Sequence, residues 1–128
     1  GKTDEQKSAE QYLKDLKKAY ENDTYGGKTP EETLQFFIDA LKKGDIDLAS
    51  KYFVVDERQE KKEFLEKVEQ AGNLALLIGE LTRTDFSKKD FNGRGEMFVF
   101  NFYDEKDKTS ITVDIAKTPN GIWKILDL

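Results

Sequence analysis

Apolar residues recur at helical spacing in the middle of the segment TPEETLQFFIDALKKG. Four of them fall at positions i, i+3, i+4 and i+7, namely Leu34, Phe37, Ile38 and Leu41. That spacing places them on one face of an α-helix. Thr29 can cap this helix, Pro30 suits its first turn, and Glu32 completes a capping-box sequence. The pattern therefore predicts an amphipathic helix after Thr29 whose apolar face is buried.

Further helices are predicted on both sides of this one. A narrow apolar stripe predicts a helix over residues 4–22, formed by Tyr12, Leu13, Leu16, Ala19 and Tyr20. Gly44 ends the helix that follows Thr29, and Asp45 caps a short helix with a buried face of Leu48, Ala49, Tyr52 and Phe53. A third helix runs from Glu57 to Gly72, where the glycine provides a left-handed cap.

The segment NLALLIGEL is ambiguous, because its apolar run fits either a helical face or a buried strand. We favour a helix to Leu81 and then a strand over Thr82 to Phe86. The last third of the chain has period-two segments, EMFVFNFY, TSITVDIA and IWKILDL, separated by turn sequences. They predict an antiparallel meander, and helices followed by strands predict an α+β fold with helices on one side of a twisted sheet.

Two units follow from these patterns. Residues 1–28 are predicted to form an N-terminal helical arm that ends in a flexible glycine linker, NDTYGGK. Residues 29–128 are predicted to form a single domain, since a chain of 128 residues has room for one core.

Composition removes several classes of function. The chain has no cysteine and no histidine, so thiolate chemistry is excluded and a transition-metal or histidine-dependent enzyme is disfavoured. We expect no cofactor and no metal. The net charge of -5 argues against nucleic acid as a partner. Apolar runs are too short for a membrane span.

The capped TPEE helix, the KKGD helix junction, a further helix and the final NGIWKILDL strand together resemble the nuclear transport factor 2 superfamily, over residues 29–128. The sequence looks similar to the small bacterial extracytoplasmic lipoprotein-type members. The resemblance implies a cone in which a curved antiparallel sheet of about four strands wraps the helices. It also implies a place outside the cytoplasm, with the leader removed.

Members of that superfamily use the wide end of the cone for catalysis, for binding or for dimerisation, so three functions stay open. We favour a non-enzymatic binding or interaction domain for a small apolar ligand or a protein partner. An isomerase or dehydratase would instead need an inward-facing base, and Asp114 is the candidate. Tyr52, Tyr103 and Trp123 could line the same pocket, although such aromatic residues are more often core. A homodimer through the sheet face could cover Phe98, Phe100 and Phe102.

Overall fold

The computed structural model describes residues 1–82, 89–91, 97–103 and 109–128, with backbone alone at 89–91, 103, 109 and 110. Its helical part comprises α1 (Asp4–Glu21), α2 (Pro30–Lys42), α3 (Ile46–Ser50), α4 (Arg58–Gln70) and α5 (Leu74–Thr82). A 3-10 turn, Val55–Glu57, comes directly before α4.

An antiparallel sheet follows the helices. Its longer strands are β2 (Met97–Tyr103), β3 (Thr109–Lys117) and β4 (Trp123–Asp127), and each pairs with the next along the chain. A three-residue stretch, β1 (Lys89–Phe91), pairs with β2. The protein is therefore an α+β protein, as the order of the sequence patterns predicts.

Local signals explain where the helices begin and end. The Thr29 hydroxyl accepts a hydrogen bond from the Glu32 amide, and Pro30 occupies the first turn of α2. The Glu32 carboxylate accepts from the Lys28 amide, one residue before the position that a capping box requires. Gly44 has φ 72°, and the Asp45 carboxylate caps α3 through the Leu48 amide.

The hydrophobic core lies between α2 and the sheet. Leu34, Phe37, Ile38 and Leu41 are buried there, which confirms the predicted face of α2. The rings of Phe37 and Phe53 pack edge to face with their centroids 5.4 Å apart. The sheet contributes the inward-facing residues Phe100, Phe102, Val113, Ile115, Trp123 and Ile125.

The ambiguous segment is helical. Residues 74–82 form α5, and Leu81 is fully buried. Thr82 still belongs to this helix, so the prediction that a strand begins there is wrong. The remaining part of that predicted strand, residues 83–86, lies outside the described residues.

The outer edge of β4 is covered by two segments from the first half of the chain. The Trp123 amide donates to the Gly27 carbonyl at 2.9 Å, and the Ile125 amide donates to the Tyr52 carbonyl at 2.9 Å. The buried Thr33 hydroxyl accepts from the Gly27 amide and donates to the Trp123 carbonyl, both at 2.8 Å. These contacts supply partners for backbone groups that an open sheet edge would leave unpaired.

The two glycines that precede α2 are closely packed. A Cβ at Gly26 would lie 2.4 Å from the Trp123 carbonyl oxygen, and one at Gly27 would lie 2.6 Å from Cβ of Glu32. At Gly26 the Trp123 backbone lies too close to admit a side chain, and at Gly27 the Glu32 side chain occupies the space. This differs from the flexible connection that the composition of NDTYGGK predicts.

Across the described part of the chain, α1 to α5 include no helix with the length and apolar character that a membrane crossing requires.

Candidate functional site

Asp114 does not face the core. Its neighbours in β3, Val113 and Ile115, are fully buried on the inner face, while Asp114 is half-buried on the opposite face. Adjacent side chains of a strand point to opposite sides of the sheet, so the alternation of β3 fixes this placement. Asp114 lies opposite Val99 on β2 and Asp127 on β4. The position that a general base would need, inside an apolar cavity, is therefore not the position of Asp114.

The aromatic candidates do not form one pocket. The Tyr52 ring lies near the surface beside Tyr25 and Phe36, with centroid distances of 6.2 Å and 5.9 Å. Trp123 is buried and packs against Phe98, with centroids 5.4 Å apart. The Tyr103 side chain lies outside the described residues. Tyr52 and Trp123 thus contact different aromatic partners, and their placement gives no support to a shared ligand pocket.

The phenylalanines of β2 are covered within the chain itself. Phe100 and Phe102 are buried members of the core, and Phe98 is partly buried against it. The cover that the sequence requires for these three rings therefore comes from the protein's own helices and strands. Phe100 and Phe102 therefore need no second copy to cover them, and the homodimer through this face stays a prediction.

A buried ionic cluster joins the arm to the last strand. Lys124 is fully buried, and its ammonium group lies 2.9 Å from a carboxylate oxygen of Asp23. It also donates to the carbonyls of Tyr25 and Lys51. Arg58 lies 3.4 Å from the other Asp23 oxygen, and its guanidinium sits over the Tyr25 ring.

Burial dominates the electrostatics of this cluster. Loss of solvation lowers the pKa of Lys124 to about 8, and the nearby Arg58 charge acts in the same direction. The Asp23 carboxylate opposes that shift by stabilising the charged ammonium. Because Lys124 has no exposed surface, the cluster acts as an internal tie and not as a ligand site.

A concave surface lies on the other side of the same arm. Asn120, in the turn between β3 and β4, donates through its side-chain amide to the Tyr20 and Asp23 carbonyls at 3.1 Å and 2.8 Å. Gly121 has φ 87° and allows this turn to close. The two hydrogen bonds hold the turn against the C-terminal end of α1.

The hollow between the helix and the turn has a volume of about 170 Å³. It is lined by Lys17, Tyr20, Glu21, Pro119 and Asn120, mainly through apolar atoms, and we call it the arm groove. Two further hollows share lining residues with it, one along α1 that includes Gln11, Lys14 and Lys18, and one at the turn that includes Lys117 and Thr118. The arm groove is therefore an apolar hollow with lysines around it.

Tyr20 is held in place at the base of the arm groove. Its hydroxyl donates to the Asp56 carboxylate. Burial, together with the hydrogen bond and the negative charge of Asp56, raises the pKa of Tyr20 to about 12. The hydrogen bond to Asp56 thus holds the Tyr20 side chain at the base of the arm groove, and the phenol keeps its proton to a higher pH than an ordinary tyrosine.

Acidic residues do not assemble into a metal site in the part of the chain that the structure describes, since no group of three potential ligands lies close enough to hold an ion.

Sequence reasoning missed both the ionic cluster and the arm groove. One signal was available, because Lys124 interrupts the otherwise apolar start of β4. An alternating strand places such a lysine on the solvent face by default. The residues that cover Lys124 are distant in the chain: Lys124 donates to the Tyr25 carbonyl across 99 positions, and the nearby Asn120 donates to the Asp23 carbonyl across 97. No local pattern could therefore reveal the burial of Lys124.

Comparison with known proteins gives no relative, because no family model, curated protein or solved structure matches this chain.

Proposed function

We propose that this protein is a non-enzymatic binding or interaction domain whose binding surface is the arm groove. The observation that carries the proposal is a concave, mainly apolar hollow that two side-chain hydrogen bonds of Asn120 keep in shape. Preformed apolar hollows with a few polar groups at their margin are the usual form of ligand sites. The volume of about 170 Å³ compares with engineered cavities of about 150 Å³ that accept one benzene ring.

The nuclear transport factor 2-like cone remains our proposal for the fold. The order of helices before an antiparallel meander supports it, as does the pairing of successive strands β2, β3 and β4. A curved sheet of four strands and an extracytoplasmic location belong to the same proposal. Placement of Asp114 on the outer face of β3 favours the binding function over an isomerase or dehydratase with that residue as base.

An NMR titration tests the binding function. A small phenyl compound such as benzyl alcohol is added to the ¹⁵N-labelled protein, and the amide signals of Lys17, Tyr20 and Asn120 are followed. We expect saturable shifts at these residues and none at Lys42 and Lys43, which are exposed at the end of α2.

The substitution Lys17→Trp should fill the hollow with its own indole and abolish the shifts, because Lys17 lines the hollow. Lys42→Trp places the same side chain at an exposed site outside the arm groove and should leave them unchanged. Equal shifts in both variants, or shifts without saturation at the groove, would remove the arm groove as a binding surface.

A further inference from the structure

The margin of the arm groove carries the opposite charge to the protein as a whole. Lys17 lines the arm groove, and Lys14, Lys18 and Lys117 line the two hollows beside it. The carboxylates at the same place are Glu21, in the lining, and Asp56, which accepts from the Tyr20 hydroxyl. The whole chain has a net charge of -5. Lysines therefore outnumber carboxylates around the arm groove, and such a local excess of positive charge attracts an anionic group.

These lysines are available to a partner. Lys14, Lys17, Lys18 and Lys117 are all exposed. Lys17 approaches Glu21 only at 4.0 Å, in a pair whose side chains are both largely exposed. Within the described residues, Lys14, Lys18 and Lys117 are not joined to a carboxylate by any ion pair. An exposed pair such as Lys17 with Glu21 is weak and can be exchanged for a partner's carboxylate.

The hollow between these lysines suits one bulky apolar group. Its surface is mainly apolar, with the Tyr20 ring and Pro119 among its walls, and its volume of about 170 Å³ is that of a single ring. A ligand that uses both features has carboxylates spaced along its length and an aromatic or large aliphatic side chain between them. An extended acidic peptide has this arrangement.

We infer that the arm groove binds an acidic peptide segment with one bulky apolar side chain, which enters the hollow while its carboxylates pair with the surrounding lysines. This inference rests on the proposed function and adds the chemical class of the partner to it. A peptide fits better than a nucleic acid or an anionic membrane, because an extended phosphate surface would also meet the acidic remainder of the protein.

Three synthetic peptides of equal length test the inference by fluorescence anisotropy. The first has the sequence pattern of alternating Glu and Gly around a central Phe, the second replaces each Glu by Lys, and the third replaces the Phe by Ala. We expect the first to bind, the second to bind at least tenfold more weakly, and the third to lose most of its affinity. Binding of the first should also weaken when salt rises from 50 mM to 200 mM, since the charges are exposed.

Charge reversal on the protein gives the matched test. The double substitution K17E/K18E should weaken binding of the acidic peptide about tenfold, because exposed ion pairs contribute a few-fold each and repulsion replaces them. K42E/K43E makes the same change of charge at the end of α2 and should change the affinity less than twofold. Circular dichroism should show that both variants are folded, which is expected because all four lysines are exposed.

The outcomes separate this inference from the proposed function. Equal affinity for the acidic and basic peptides, or equal effects of the two charge reversals, would overturn the acidic partner while the benzyl alcohol shifts still support a binding groove. Loss of those shifts as well would overturn both. Binding of anionic vesicles or of a single-stranded oligonucleotide more tightly than the acidic peptide would assign the lysines to a different partner and overturn the inference.

Discussion

Helices α1 and α2 both carry an apolar stripe at helical spacing, yet only α2 buries it. Seven residues of α2 are buried, and none of α1 is. Tyr12 and Leu13, the first two residues of the α1 stripe, are each 61% exposed. A stripe therefore indicates which residues share a face of a helix, whereas burial depends on whether the rest of the chain brings an apolar surface to that face.

Each helix is stabilised accordingly. The apolar face of α2 packs into the core beside Phe53. Helix α1 instead relies on local interactions, including a capping box of Thr3 and Gln6 and a hydrogen bond between Gln11 and Asp15. Only its last turns, where Leu16, Ala19 and Tyr20 are half-buried, are shielded from solvent. Substitutions should therefore affect the two helices very differently.

The largest effect is expected in α2. Replacing the fully buried Phe37 by Ala should lower the free energy of unfolding by about 3 to 5 kcal/mol, because it leaves a cavity beside Phe53. Urea denaturation measures the loss as a lower midpoint. An unchanged midpoint would mean that α2 is not the helix on which the core depends.

The second largest effect is expected at the ion pair of Asp23 and Lys124, which joins the arm to β4. The substitution Asp23→Asn leaves the buried Lys124 ammonium without its counter-charge and should cost about 3 kcal/mol. Asp15→Asn, on the exposed face of α1, is the control and should cost little. The double variant D23N/K124M should be more stable than D23N alone. If it is equally unstable, the loss does not come from the unpaired charge.

A smaller effect of pH follows from the same lysine. The pKa of Lys124 is about 8 in the folded protein and 10.5 in the unfolded chain. Between these two pH values the unfolded chain therefore binds more protons than the folded protein. Stability should rise with pH in this window, by up to about 2 kcal/mol between pH 8 and 9.5. This gain in stability is complete above pH 10.5 and is lost as the pH falls through 8.

Urea midpoints at pH 7.5 and 9.5 measure this rise, which the variant Lys124→Met should not show. Tyr20 acts in the opposite direction only above pH 10, since its pKa rises from 10.0 to about 12. Identical pH dependence in the wild type and in Lys124→Met would rule out the lysine as the cause.

The smallest effect is expected in the exposed part of α1. Leu13→Ala should change the free energy of unfolding by less than about 0.5 kcal/mol, because the side chain is largely exposed already. The measurement is the same urea denaturation. A loss as large as that of Phe37→Ala would show that the α1 stripe is covered in solution, and that the two helices do not differ as described.

The sequence predicted correctly those features that depend on neighbouring residues, such as helix ends and the faces of a strand. Thr29, Gly44 and Asp45 act at helix ends as their types predict, and the inner face of β3 is the apolar one. Prediction failed where a feature depends on distant segments. The flexible linker was inferred from glycine content, whereas a Cβ at Gly26 would meet the Trp123 carbonyl of β4 and one at Gly27 would meet the Glu32 side chain.

The hydrogen bonds among Gly27, Thr33 and Trp123 have a consequence for the order of folding. They join the arm to β4, across a separation of 90 residues between Thr33 and Trp123. Such a long loop closes late, because its entropy is lost before its contacts form. During synthesis the helices therefore precede this sheet edge, and Lys124 enters its buried site only after β4 has been made. A nascent chain that stops before residue 123 lacks the hydrogen bonds that join Trp123 to Gly27 and Thr33, and its arm keeps its contacts with Asp56 and Arg58.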